Sequence, residues 1–297
     1  MALTIALLLA SLALSLTVYF GGGYYPNLMW VWLPFVLILA FFLALFAVYA
    51  LFLVLFAFAI RLRGEENYRP NRFGMWVLSE TCFVLQILCR VRVHASGMGK
   101  VPSTKTKFML VSNHLSGFDH IGLISLFVKH DIICISKKQN KKIPGVGGWL
   151  RYAGYLFIDQ NDILSGTRLI EQAGTYISEG TCSVCIAPEG TRNKNFPNPE
   201  ILPFHPGSFA MAYQSKCPIV VFAIQNTNCV LKRFPLKGTD VYFDCVGVLE
   251  YDEYKSLTQK ELAEKVQGLI QKRFDHKRAR FYHLPVKPEN TETEKAE

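Results

Sequence analysis

His114 and Asp119 stand five positions apart in the run Val111-Ser-Asn-His-Leu-Ser-Gly-Phe-Asp119. The apolar stretch 108–112 reads as a buried strand that ends just before them, so the histidine falls in the polar connection that follows. Ser116-x-x-Asp119 is a capping signature, which starts the next helix at Ser116 and puts Asp119 in its first turn. Inside one continuous helix, residues five apart point about 140° away from each other. A histidine ahead of the helix instead lets the chain fold back so that the carboxylate holds the imidazole. A carboxylate in that position fixes the tautomer and stabilises the imidazolium, which makes the histidine a general base for a hydroxyl. A capping aspartate beside an unrelated loop histidine would show the same spacing, so the pair needs company.

The company comes from a second strand. Residues 183–187 run into Pro188-Glu189-Gly190-Thr191-Arg192, which sets a glycine, a hydroxyl and a guanidinium at a strand exit. Open α/β sheets place their ligands at strand exits, and arginine suits bidentate contacts to phosphate. Between the two segments lie Lys137-Lys138, Lys141-Lys142, Ile143-Pro144 and Gly154-Tyr-Leu-Phe-Ile-Asp-Gln160. Downstream, residues 202–210 look like a turn opening a helix, followed by Pro218-Ile-Val-Val221.

These segments need a frame, and from residue 91 the chain alternates between strand and helix patterns. Strands are expected at 91–95 (an edge strand), 108–112, 132–135, 155–158, 183–187, 219–224 and 241–248. Helices are expected at 121–129 and 164–178 and after the capping box Thr258-Gln-Lys-Glu261. This order predicts an α/β domain over 91–284 with a mostly parallel sheet flanked by helices, followed by a disordered tail at 285–297. Cys182 and Cys185 would point to opposite faces of one strand and could not chelate one ion. The eight cysteines read as buried free thiols, and no metal is expected.

The first 60 residues contain no Asp, Glu, Lys, Arg or His, so the net charge of +9 sits entirely on the rest of the chain. No water-soluble surface can be built from such a segment, which excludes a simple soluble globule. Residues 2–20 and 28–60 are two apolar runs separated by the turn signal 21–27. About 20 residues suffice to cross a bilayer, so residues 1–63 are expected to form a transmembrane helical hairpin, with Pro34 near the start of the second helix. A signal peptide at 1–20 would want a basic start and a small-residue cleavage site, and neither is present. A re-entrant hairpin is the other option. Arg61-Leu-Arg63 is a basic stop that puts the following domain on the cytoplasmic side of a multi-pass membrane protein. Residues 64–90 would be a polar linker and an amphipathic helix, 73–89, that either lies in the interface or caps the domain core. The positive charge suits an anionic membrane surface, and no nucleic-acid-binding motif accompanies it.

Taken together, these blocks resemble the glycerolipid acyltransferases of the 1-acylglycerol-3-phosphate type. That family carries N-H-x-x-x-x-D, K-x-E-L-x-x-I-P, G-x-x-F-I-x-R, P-E-G-T-R and a P-I-V-P-like strand. Here they stand in order at 113–119, 137–144, 154–160, 188–192 and 218–221. The resemblance covers roughly 95–225. It implies transfer of a fatty acyl group from an acyl thioester, acyl-CoA or acyl carrier protein, to a lysophospholipid hydroxyl, giving phosphatidate, with no resident cofactor. It also implies His114 as general base, Asp119 as its partner, and Glu189, Gly190, Thr191 and Arg192 at the acceptor phosphate, with Lys137 assisting. Backbone N–H groups near Ser116 are candidates for the oxyanion. Three departures stand out: Gln160 in place of Arg, Gln139-Asn140 in place of Glu-Leu, and Val221 in place of the last Pro. The first removes a phosphate-binding cation. Another lysophospholipid or glycerol 3-phosphate as acceptor is therefore an alternative, as is a catalytically silent membrane scaffold of the same fold.

Overall fold

The computed structural model of the chain describes residues 2–23, 32–62, 68–159, 162–194 and 200–274. The tail 285–297, linker residues 64–67, turn residues 24–27 and Gln160 lie outside them.

The strands are β1 (Val91–Ser96), β2 (Met109–Ser112), β3 (Ile132–Lys137), β4 (Leu156–Ile158), β5 (Ser183–Ile186), β6 (Ile219–Gln225) and β7 (Thr239–Leu249). They form one sheet in the order β1-β7-β6-β2-β5-β3-β4, with β6 and β7 antiparallel and every other neighbouring pair parallel. The mostly parallel sheet and the edge position of β1 match the sequence reading. β2 sits in the middle, with Met109 opposite Val184 of β5 and Ile219 of β6. Parallel strands covered on both faces need continuous apolar runs. Phe108, Met109, Leu110 and Val111 are accordingly fully buried, each worth roughly 1.5–3 kcal/mol of hydrophobic stabilisation.

Helices α3 (Arg72–Leu88), α4 (Phe118–Leu126), α5 (Gly147–Tyr152), α6 (Ile163–Ser178), α7 (Ala210–Ser215), α8 (Val230–Arg233) and α9 (Gln259–Arg273) follow α1 (Ala2–Gly21) and α2 (Leu33–Leu62). The expected capping box at Thr258 is formed, with Thr258 and Glu261 each accepting the other's backbone N–H. α3 resolves the choice left open for the amphipathic segment. Met75, Val77, Leu78 and Cys82 enter the core, and Gln86 Nε2 donates to the Ile121 carbonyl at 3.0 Å, while Phe73 and Trp76 remain exposed. α4 begins at Phe118, between the Ser116 of the capping signature and the Ile121 of the apolar periodicity, with Asp119 in its first turn accepting from Ser116 N ahead of it.

Leu33–Ile60 is long and apolar enough to cross a membrane, with a mean hydropathy of 2.9, and Pro34 occupies the second position of its helix. Ser15 Oγ of α1 donates to the Pro34 carbonyl at 2.8 Å, so the two apolar helices touch. The end of α2 does not hang free of the sheet domain. Trp149 Nε1 donates to the Leu53 carbonyl at 2.9 Å, and the Phe56 and Trp149 rings stack at 4.4 Å.

Candidate active site

The strand order decides which loops meet. β2, β5 and β3 are neighbours and run parallel, so the segments after them, carrying His114, Arg192 and Lys137, leave from the same edge of the sheet. Where β2 stops pairing by backbone, Asn113 continues by side chain. Its Nδ2 donates to the Ile224 carbonyl at 2.9 Å, and its Oδ1 accepts from Ile224 N at 2.7 Å. This extra rung on β6 frees the backbone of His114 to turn away from the sheet.

His114 Nδ1 lies 2.7 Å from Asp119 Oδ2, with the imidazole 12% exposed and the carboxylate 1% exposed. The same Oδ2 accepts from Leu115 N at 2.6 Å and Ser116 N at 2.8 Å, and Oδ1 accepts from the Thr227 hydroxyl. Asp119 therefore caps the helix and holds the histidine at once, and the two roles that looked like rivals in the sequence are one arrangement. With Nδ1 engaged, Nε2 is the ring nitrogen left to meet a substrate proton.

Only half of the expected capping box forms, since Ser116 Oγ accepts from Phe118 N at 3.1 Å and the helix starts at Phe118 instead of Ser116. This corrects the expectation that several N–H groups near Ser116 await an oxyanion. Those of Leu115 and Ser116 are used by Asp119, and that of Phe118 by Ser116. Among the described residues of this turn, Gly117 N–H is the one without a partner.

The second segment clamps the first. Glu189 is 3% exposed; its Oε1 accepts from His114 N at 2.6 Å and its Oε2 from Leu202 N at 3.2 Å. Asn193 N donates to the His114 carbonyl at 2.8 Å. The main chain of His114 is thus gripped on both sides by residues from the β5 exit. Gly190 makes that exit possible, since its φ of 65° is a conformation glycine adopts without strain. The position of Glu189 corrects the expectation that it contacts the acceptor phosphate, because both of its oxygens are taken up by backbone donors. Arg192 fits that part better. Its side chain is exposed, with Nη2 3.9 Å from where a Cβ on Gly117 would lie. Thr191 is exposed beside it, and Lys137 ends β3 half-buried, with no hydrogen bond or ion pair to the other site residues among those described.

Burial pushes the Glu189 carboxyl up to about 7, against the opposing pull of its backbone donors. A carboxyl raised above its unfolded value holds its proton longer in the folded state. Stability from this group is therefore full below about pH 4.5, declines as the unfolded chain ionises, and is lost once pH passes 7. The wild-type advantage over Glu189→Gln in thermal unfolding should accordingly shrink between pH 5 and 8, by a few kcal/mol in all. A gap independent of pH would refute the assignment.

Sequence reasoning missed two residues. Thr227, in the loop after β6, had only its place at a strand exit to signal it. His120 lies one helical step past Asp119, its ring 5.3 Å from that of His114, and burial lowers its pKa to about 4, so it stays neutral. His120, Cys134 and Cys185 bring ligand atoms within 4.8 Å of one another, a grouping the search for Cys-x-x-Cys spacing could not find because it arises across β3 and β5. A hydrogen bond with Cys134, together with burial, pushes the Cys185 thiol well up and keeps it protonated.

The model of the family described as Acyltransferase matches residues 90–225. The 1-acyl-sn-glycerol-3-phosphate acyltransferase alpha of Ovis aries is 28% identical over 166 residues, covering 54% of this chain and 52% of that protein. The 1-acyl-sn-glycerol-3-phosphate acyltransferase of Haemophilus influenzae is 24% identical over 168 residues, covering 57% and 68%. The chain thus spans about half the length of the mammalian relatives it matches. The crystal structure of the 1-acyl-sn-glycerophosphate (LPA) acyltransferase PlsC from Thermotoga maritima superposes with a TM-score of 0.56 at 19% identity, covering 76% of this chain and 92% of that one, which establishes a shared fold. The matched region contains His114, Asp119 and the whole β5 exit, and over it the chain is similar to the acyltransferase family.

Proposed function

We propose that the protein transfers a fatty acyl group from an acyl thioester to the free hydroxyl of 1-acylglycerol 3-phosphate, giving phosphatidate, with His114 as general base. The observation that carries this reading is the 2.7 Å contact between His114 Nδ1 and the buried Asp119 carboxylate, which leaves Nε2 as the ring nitrogen for the substrate. His114 Nε2 takes the proton as the hydroxyl oxygen bonds to the thioester carbon. The C–S bond then breaks, and the proton passes from the imidazolium to the departing thiolate. Gly117 N–H is the donor left for the oxyanion, and the exposed Arg192 guanidinium nearby suits the acceptor's phosphate. Acyl-CoA and acyl carrier protein supply the same thioester, and either serves as donor here. α1 and α2 anchor the enzyme as two membrane spans with the catalytic domain on the cytoplasmic face, where the Trp149 contact holds the site near the lipid. The intact His114–Asp119 pair argues against a silent scaffold.

The test is an assay of purified protein with labelled acyl-CoA against a panel of lysolipids and glycerol 3-phosphate. Lysophosphatidate should be preferred. Arg192→Gln should raise its KM about 10–100-fold, the worth of a hydrogen bond to a charged group, with a smaller change in kcat. Preference for a neutral or zwitterionic lysolipid, with Arg192→Gln silent, would overturn the acceptor assignment.

A further inference from the structure

Two buried polar atoms without a hydrogen-bond partner, Tyr68 Oη and Arg151 Nη2, belong to side chains that line one cavity of about 270 Å³. The cavity lies against the edge strand β4, between the last turn of α5 and the face of α6. Lys141 and Arg168 add two cations to its wall, and among the described residues no carboxylate lines it. Buried polar groups in folded proteins are nearly always paired, and a charged donor left without an acceptor is among the most costly exceptions. Two such donors on one concave space, with two further cations, match the outline of a bound anion.

The fold holds these groups in place. Gly154, at φ 85°, lets the backbone of Pro70 come so close that a Cβ would sit 2.4 Å from it, which brings the Tyr68 segment against Tyr155. The Tyr68 ring meets Tyr152 edge-on at 5.7 Å, and Lys141 Nζ lies over the Phe157 ring at 5.1 Å. The Tyr68 ring is thus fixed while its hydroxyl stays unpaired. The site is separate from the catalytic loop, because β5 and β3 lie between β2 and β4 and three strand spacings amount to roughly 14 Å.

We infer that this cavity is a second anion-binding site, taking the phosphate group of a ligand through Arg151, Lys141 and Arg168 with Tyr68 as a neutral donor. The inference goes beyond the acyl-transfer reading and does not depend on it. Thermal unfolding of the full-length protein in a phosphate-free detergent, titrated with inorganic phosphate at constant ionic strength, tests it without any turnover. Phosphate should raise the unfolding temperature of the wild type and of Arg192→Gln alike. Arg151→Met should weaken the response at least tenfold, and the exposed Arg168→Met should weaken it severalfold should the first variant fold poorly. Arg151→Met should also unfold at a higher temperature than wild type without phosphate, because it removes an unpaired buried cation, whereas loss of a structural arginine would lower it. A response lost in Arg192→Gln but kept in both cavity variants, or none in wild type, means a water-filled cavity only and overturns the proposal. Two further arms identify the source of the phosphate. Retention of phosphatidate over phosphatidylcholine from nanodiscs, dependent on Arg151, indicates a lipid headgroup. Arg151-dependent stabilisation by adenosine bisphosphate, without lipid selectivity, indicates a soluble ligand.

Discussion

His114→Ala should slow acyl transfer by about 10²–10⁴-fold, the usual contribution of a positioned general base, while leaving the protein folded. The second half of this expectation is as specific as the first. The interactions that lock position 114 into the fold are made by its main chain, through the amide to Glu189 and the carbonyl to Asn193, and alanine retains both. The imidazole is 12% exposed and makes one hydrogen bond, to Asp119, so its removal vacates some space but breaks none of these main-chain contacts. Measured kcat should collapse with an unfolding temperature within a few degrees of wild type. Near-normal turnover in a well-folded His114→Ala protein would remove the proposed base and the mechanism with it.

Asp119→Asn should bring kcat down by a similar factor for a different reason. The carboxylate gathers the imidazole, two backbone amides and the Thr227 hydroxyl on two oxygens, and among the described residues it is the one carboxylate bonded to the ring. An amide has one acceptor oxygen. Once that oxygen satisfies Leu115 and Ser116, the NH₂ group faces a hydroxyl, and no charge remains to stabilise an imidazolium. The shape is kept, so KM should change little. Asp119→Ala, by contrast, leaves buried donors without acceptors at about 1–3 kcal/mol each and should be markedly destabilised. If Asn and Ala cost the same stability and Asn keeps full activity, the carboxylate serves only as a cap. Thr227→Val offers a milder check on the same cluster, since it removes one donor and leaves the charge.

Most of the frame was legible in the chain. Parallel strands covered on both faces must be continuous apolar runs, so 108–112, 183–187 and 219–224 declared themselves, and the strand–helix rhythm implied a mostly parallel sheet. The two charge-free runs declared themselves for a similar reason, because nothing but lipid or protein can surround them. The boundaries were less exact, as at α4, which starts at Phe118, between the Ser116 of the capping signature and the Ile121 of the apolar periodicity.

The roles inside the site divide along the same physical line. Sequence alone determined what is local: that a histidine follows a buried strand, that an acid sits within reach of it, and that an arginine stands at another strand exit. Whether groups distant in the chain pair with one another was decided only by the tertiary structure. Glu189 reads as a ligand contact in its motif, yet it is a brace, because β5 pairs directly with β2 and delivers its carboxylate to the amide of His114. Thr227 and the trio His120, Cys134 and Cys185 carry no spacing signal, since residues far apart in sequence become neighbours through strand order alone. The orphaned donors around Arg151 were equally invisible, because burial without a partner is a property of packing and not of any segment of the chain.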